Sequence, residues 1–223
     1  MIQPEKLRGG LIVSIQPRAG SAMDDPRTIA AMARCAQDNG ARAVRIQGSA
    51  NIESVVRRVD IPVIGMIKRR YQGFEPYITA TTREVRESIA AGAGIVAFDA
   101  TGRARPEGQT LREIVDSIHE AGRLTMADCA QLFDAAGAAA LGVHFVATTL
   151  ASYTKETEGC ALPALDLVRR MKQLEPLVIC EGGVKAPRHV REARCAGADA
   201  VVVGTAITDI DWLVSQFAAG VQE

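Results

Sequence analysis

A chain of 223 residues in which 26 lysines and arginines balance 26 aspartates and glutamates has no net field to draw it to nucleic acid or to an anionic membrane. At 48% hydrophobic and 23% charged, it has the composition of an ordinary globular protein with one large core or two small ones. The opening MIQPEKLRGG lacks a signal pattern, no apolar run nears the roughly 20 residues that span a bilayer, and five cysteines without a CxxC pair suit a reducing compartment.

These features predict a cytoplasmic protein with neither a membrane nor a nucleic-acid partner. The basic cluster Lys68-Arg69-Arg70 has Tyr71 beside it but no longer run of bases and aromatics.

In chain order the apolar runs form eight short segments: LIVSIQ (11–16), AVRIQ (43–47), PVIGMIK (62–68), GIVAFD (94–99), LTMAD ending at Asp128, VHFVATT (143–149), LVICE (177–181) and AVVVG (200–204). Their centres hold Val, Ile, Leu, Ala and Phe without strict alternation, as in parallel strands covered on both faces. Helix starts stand between them. Asp25-Pro26 offers a cap and an N1 proline to a helix over 27–39. Thr81…Glu84 and Thr110…Glu113 have capping-box spacing, and Pro163 and Pro187 are placed to open later helices.

Gly40, Gly92, Gly142 and Gly197 each follow an amphipathic stretch and precede an apolar run. That pattern marks a helix ending on a left-handed residue with a strand directly after it. Eight strands alternating with helices, without a linker, predict one domain over 1–223. The fold class is α/β, a (β/α)8 TIM barrel. An open doubly wound sheet is the alternative, and the regularity of the eight units favours closure.

The strands end in Gln16, in Arg45 and Gln47, and in Lys68, Asp99, Asp128, Thr148 and Thr149, Glu181 and Gly204. In a barrel these ends share the face where the βα loops build an active site. Polar residues mark any strand exit, so one such position says little. Lys68 says more, because a lysine needed only for solubility has no reason to stand at an inner rim with Asp99, Asp128 and Glu181.

Arg45 lies within its strand and cannot shed its charge, so it requires an anion or a carboxylate. ICEGGVKAP and VVGTAI put glycines after the seventh and eighth strands, where barrels often hold a phosphate against backbone N–H groups. Gly92-x-Gly94 precedes a strand and is not a dinucleotide fingerprint. His119, His144 and His189 show no ligand spacing, so no metal site is expected. Cys129 has no evident histidine partner to make it a nucleophile.

Nine stretches in register carry a further signal: GGLIVSIQP (9–17), AVRIQG (43–48), PVIGMIKR (62–69), ITATTREV (78–85), AFDATGRARP (97–106), TMADC (125–129), TTLASYT (148–154), EGGV (181–184) and VVGTAIT (202–208). They resemble the successive signatures of the N-acylmannosamine-6-phosphate 2-epimerases. The resemblance implies interconversion of N-acetylmannosamine 6-phosphate and N-acetylglucosamine 6-phosphate in sialic acid breakdown. It puts catalysis on Lys68 and Glu181, and substrate contacts on Gln16, Arg45, Asp128, Thr149 and Tyr153. The phosphate falls to Gly182, Gly183, Gly204 and Thr205.

The chain departs from the family pattern at four positions. Arg70 replaces the aspartate of KRD, Gln47 the glutamate of IEG, Asp209 the arginine of AITR, and Ser152 the glycine of TLxGYT. The change at 209 predicts altered phosphate affinity, and that at 152 an altered loop.

Inverting C2 of a 2-acetamido sugar breaks a carbon–hydrogen bond α to the open-chain aldehyde. The reaction needs a base near C2, donors for the developing oxyanion and an anchor for the phosphate. Lys68 is a base only when neutral, as about one lysine in 2,500 is at pH 7 for a reference pKa near 10.4. Burial and the charges of Arg45 and Arg69 are expected to lower that pKa, with Asp128 and Glu181 opposing. Glu181 is the candidate for the ring-opening proton.

The reading requires no cofactor and no metal, takes a small phosphosugar as partner, and leaves a homo-oligomer open. Two rivals stand beside it: a Schiff-base class I aldolase on Lys68, and a non-catalytic sugar-phosphate-binding barrel, which only Arg70 and Asp209 favour.

Overall fold

The computed structural model describes residues 2–221. Its eight parallel strands are β1 (Gly10–Ile15), β2 (Ala43–Gln47), β3 (Val63–Met66), β4 (Ile95–Asp99), β5 (Leu124–Asp128), β6 (Phe145–Ala147), β7 (Leu177–Cys180) and β8 (Ala200–Val203). They pair in sequence order and close through β1 and β8 into the expected α/β barrel.

Around the barrel run α1 (Pro26–Asp38), α2 (Ser49–Val56), α3 (Thr82–Ala90), α4 (Leu111–Glu120), α5 (Leu132–Ala139), α6 (Leu165–Met171), α7 (Pro187–Cys195), the single turn α8 (Thr205–Thr208) and α9 (Ile210–Gly220). No described helix is long and apolar enough to cross a membrane.

Local chemistry accounts for most of these boundaries. The Asp25 carboxylate accepts the Thr28 N–H at 2.9 Å with Pro26 at the first helical position. Both capping boxes, Thr81 with Glu84 and Thr110 with Glu113, are formed. Gly40, Gly92, Gly142 and Gly197 take φ of 90°, 98°, 76° and 103°, so each helix turns at once into the next strand. Pro187 opens α7. Pro163 opens nothing: α6 starts at Leu165 behind an Ala164 cap. The residue before Pro163, Leu162, packs against Gly183 and keeps this segment part of the loop.

Side chains alternate strictly about the barrel wall. Ile12, Ile64, Met66, Ile95, Met126, Phe145, Ile179 and Val202 fill the interior, joined by Leu7 from the 3-10 turn Pro4–Leu7. Val96, Phe98, Ala127, Val146, Val178 and Val201 face outward beneath the helices. Each fully buried large aliphatic stabilises by about 1.5–3 kcal/mol. The glycine within β3 belongs to this outer layer. A Cβ on Gly65 would sit 2.5 Å from Ser88 Oγ and 2.6 Å from Ala93 Cβ, so only glycine lets α3 seat.

Two strands are shorter than the sequence suggests. β6 keeps only Phe145–Ala147 of the 143–149 run. β3 stops at Met66, and Lys68 instead forms an antiparallel bridge to Ile78, flanked by Thr79 N–H to Ile67 O at 2.8 Å and Arg69 N–H to Tyr77 O at 2.9 Å. The lysine is thus held by a folded-back loop rather than by the barrel ladder. At Ser152, φ is +70°, so the loop keeps the left-handed shape that glycine would give it, and the Ser152 N–H donates to Thr157 Oγ1 at 3.1 Å.

Candidate active site

The strand period of two builds the site. Ser14, Met66, Ala147, Ile179 and Val202 all stand on the inward parity of their strands. One inward step beyond them come Gln16, Lys68, Thr149, Glu181 and Gly204. These five line a pocket of about 370 Å³ with Arg45, and so do Tyr153, Gly182, Gly183 and Thr205. Residues named from six of the nine stretches of sequence thereby meet in one place.

Asp128 is the exception. It is wholly buried beneath Arg45 and reaches the pocket through that side chain and the Thr149 hydroxyl. Asp99 does not join Lys68 either: it is turned to Arg103 at 2.7 Å and to the Thr101 hydroxyl at 2.6 Å, because its own loop supplies closer donors.

Arg45, 1% exposed, is the hub. Its Nη2 donates to Asp128 Oδ2 at 2.5 Å, and its Nη1 donates both to Asp128 Oδ1 at 2.9 Å and to Glu181 Oε2 at 2.5 Å. The Thr149 hydroxyl donates to Asp128 Oδ1 at 2.7 Å and lies 3.2 Å from Glu181 Oε2. One guanidinium serving two carboxylates leaves one negative charge over. Burial works against the charge on Arg45, yet the two carboxylates more than offset it and hold the guanidinium protonated. Burial pushes the Glu181 carboxyl above the usual range; Arg45 pulls it down, and Asp128 adds to the rise.

Lys68 faces this cluster. It is accessible through the open pocket, while protein atoms surround its sides. Burial lowers its pKa, helped by Arg45 and by Arg70, while Glu181 and Asp128 oppose. The second cation is not Arg69, as the sequence suggested. Arg69 turns away to bind Glu87, at 2.9 Å, and the buried Glu84. Arg70, at the family's aspartate position, lies 4.8 Å over the ring of Tyr77, which itself lines the pocket.

The loops after β7 and β8 form the opposite wall. Gly182 and Gly183 take φ of 102° and 69°, and a Cβ on Gly183 would lie 2.3 Å from Leu162 Cβ. A Cβ on Gly204 would lie 3.3 Å from Ser14 Cβ. Asp209 caps α9 by accepting the Trp212 N–H at 2.9 Å and lies 3.4 Å from Arg18, so its charge is engaged on the protein side.

Lys185 also lines the pocket and has no carboxylate partner among the described residues; sequence reasoning missed it, together with Ser14, Tyr77 and Trp212. The residue after EGGV was the only signal for Lys185. Cys129 is buried in the layer between strands and helices, on the outward parity, and burial raises its thiol well above the ordinary value. That placement removes it as a nucleophile. His119 and His144, which appear scattered in sequence, meet edge to face at 5.4 Å at the other end of the barrel. Among the described residues no group of three ligands is placed to hold a metal ion.

Comparison with known proteins places this geometry in a group. A family model described as "Putative N-acetylmannosamine-6-phosphate epimerase" matches residues 29–223. A Corynebacterium glutamicum protein named "Putative N-acetylmannosamine-6-phosphate 2-epimerase" is 42% identical over 219 residues, 96% of this chain and 94% of its own. A Thermosynechococcus vestitus protein of the same name is also 42% identical, covering 97% and 95%.

Among solved structures, the N-acetylmannosamine-6-phosphate 2-epimerase from Clostridium perfringens superposes with a TM-score of 0.93 at 35% identity, covering 97% of this chain and 95% of that one. Thiamine phosphate pyrophosphorylase from Pyrococcus furiosus, at a TM-score of 0.60 and 16% identity over 91% and 87%, shares the barrel alone.

Proposed function

The chain belongs to the N-acetylmannosamine-6-phosphate epimerase family, and we propose that it interconverts N-acetylmannosamine 6-phosphate and N-acetylglucosamine 6-phosphate by removing and returning the proton on C2. The observation that carries this reading is the pairing of Lys68 with Glu181 in one pocket, their pKa values displaced towards each other. A lysine shifted downward is neutral more often, and a carboxyl shifted upward is protonated more often. Each is thereby better suited than an ordinary lysine or carboxylate to exchange a proton with substrate.

In the reaction, Glu181 moves the proton that opens the sugar ring. Neutral Lys68 takes the C2 proton of the open aldehyde, giving an enolate whose oxygen is stabilised by donors in the pocket, among them the second N–H of the Gln16 amide. The ammonium of Lys68 then returns a proton to either face. Substrate filling the pocket displaces water and strengthens the burial effect on Lys68. Backbone N–H groups at Gly182, Gly183, Gly204 and Thr205 take the phosphate, with Tyr153 on the rim. The activity belongs to amino-sugar catabolism, with sialic acid breakdown as the source of the mannosamine.

Proton NMR of the protein with N-acetylmannosamine 6-phosphate in deuterium oxide tests this. The glucosamine epimer should appear with deuterium at C2. Lys68→Met should reduce the rate by at least about 10²–10⁴-fold, and Lys68→Arg should not restore it, since a guanidinium accepts no proton. Near-normal turnover in Lys68→Met would move the base to Glu181, since Asp128 lies buried beneath Arg45. A borohydride-trapped adduct on Lys68 would favour the aldolase instead.

A further inference from the structure

Two threonines follow β6, and only Thr149 reaches the pocket. Thr148 has the opposite parity, is wholly buried, and plays no part in the reaction as described. Its bonds are unusual. The Thr148 N–H donates to Ile179 O at 3.1 Å, the last main-chain rung between β6 and β7. In a parallel ladder the Thr148 carbonyl would next accept the N–H of Glu181. Here the side chain substitutes for it: the Glu181 N–H donates to Thr148 Oγ1 at 3.0 Å, and the same hydroxyl donates to Glu181 O at 2.8 Å.

One buried hydroxyl therefore grips both backbone polar groups of Glu181. The residues immediately after are Gly182 and Gly183, both left-handed, so the strand ladder does not continue past Glu181 and the next fixed contact is Gly183 against Leu162. We propose that Thr148 is a positioning residue for the reaction, fixing where the Glu181 carboxyl stands between Arg45 and the pocket. The inference rests on the role of Glu181 given above.

The argument is geometric. The carboxyl oxygen lies 2.5 Å from Arg45 Nη1 and 3.2 Å from the Thr149 hydroxyl. A backbone that slides as the strand ends changes both separations, and with them the proton affinity of the carboxyl. Thr148→Val keeps the branched shape and removes the hydroxyl, leaving an N–H and a carbonyl of Glu181 unpaired. Thr148→Ser keeps the hydroxyl and loses only a methyl group.

The test is steady-state epimerisation against pH for the parent, Thr148→Val, Thr148→Ser and Glu181→Gln, normalised to folded protein. Thr148→Val should lower kcat by about 10–100-fold, the scale set by roughly an ångström of misplacement, with KM little changed and the acid limb of the profile displaced. Thr148→Ser should stay near the parent in both rate and profile. Should Thr148→Val not yield folded protein, Thr148→Cys carries the same test with a smaller loss, because a thiol is a weaker donor and acceptor.

A merely structural threonine would give a lower melting temperature with unchanged kcat and acid limb, and that result overturns the proposal. A defect in Thr148→Ser equal to that in Thr148→Val also overturns it. If Glu181→Gln is inactive while Thr148→Val is normal, the positioning role alone fails. A Glu181→Gln variant as active as the parent removes the role of Glu181, and the inference with it.

Discussion

Replacing Arg45 with methionine isolates the charge balance of the site. The substitution keeps most of the stem and removes a guanidinium that makes three short bonds, two to Asp128 and one to Glu181, in a place where Arg45 and Asp128 are 1% and 0% exposed. Afterwards Asp128 keeps the Thr149 hydroxyl at 2.7 Å, and both carboxylates lie buried side by side without their cation. Breaking a buried pair by removing one partner costs about 3–5 kcal/mol. For a chain of this size, each kcal/mol moves the melting temperature by about 2–4 °C, so a fall of about 6–20 °C is expected at pH 8.

The sign of the pH dependence follows from burial. The Glu181 carboxyl is raised even with Arg45 present, and losing the arginine raises it further. A group whose folded pKa exceeds its unfolded value adds stability that is complete below the unfolded pKa and is lost as pH rises through the folded one. The deficit of Arg45→Met should therefore shrink between pH 8 and pH 5, as the Glu181 carboxyl takes up its proton. Thermal melts followed by circular dichroism across that range decide it. An equal deficit at both ends, or no deficit at pH 8, would refute the shared-arginine account.

Other outcomes follow from the same geometry. In Glu181→Gln the loss of a negative charge that supports the Lys68 ammonium should move the lysine limb of kcat/KM to lower pH, and in the parent that limb should already lie below an ordinary lysine; an upward or absent shift counts against Lys68. Gly204→Ala, whose added methyl meets Ser14 at 3.3 Å, should raise KM for the phosphosugar with kcat largely kept. Gly183→Val, forced into Leu162 at 2.3 Å, should displace the loop and lower both kcat and affinity. Equal binding by both variants would put the phosphate elsewhere. Asp209→Arg should lower KM by adding a cation and freeing Arg18, while loss of the α9 cap costs about 1 kcal/mol; an unchanged KM, read beside the melting temperature, would mean that position 209 does not face the phosphate.

The barrel was legible because parallel strands covered on both sides are short, uniformly apolar and punctuated by helix-ending glycines. All eight strands were placed, most within a residue or two. The convergence of the named residues on one pocket was legible because the last inward side chain of a strand must face the mouth. What the sequence could not give was who pairs with whom. Arg69 finds Glu84 and Glu87 through the folding of a loop, Asp99 finds Arg103 in its own loop, and Lys68 bridges to Ile78 where no periodicity marks a partner. Thr148 and Thr149 look equivalent in TTLASYT, and only the position at which β6 stops separates a pocket hydroxyl from a buried one. Nor could composition predict that Ser152 would hold a φ of +70°, a conformation that costs a non-glycine residue about 1–2 kcal/mol in isolation.

Size alone would point to the other end of the barrel. A larger concavity of about 980 Å³ lies at the other face, rimmed by Lys6, Arg42 and Arg123 and floored partly by Gly92, Gly122 and Gly142. Those glycines are where helices finish, so backbone carbonyls and the negative ends of helix dipoles converge there. Arg42 donates there to the Arg8 carbonyl, at the end of the 3-10 turn Pro4–Leu7. At the mouth the polarity reverses, because the helices start there, α8 directly behind Gly204 in the pocket lining, and helix starts favour an anion. The same glycine-ended helices that reveal the fold thus set opposite fields at its two ends. Among the described residues, the smaller pocket alone combines helix starts with a lysine and a carboxyl whose proton affinities are drawn together.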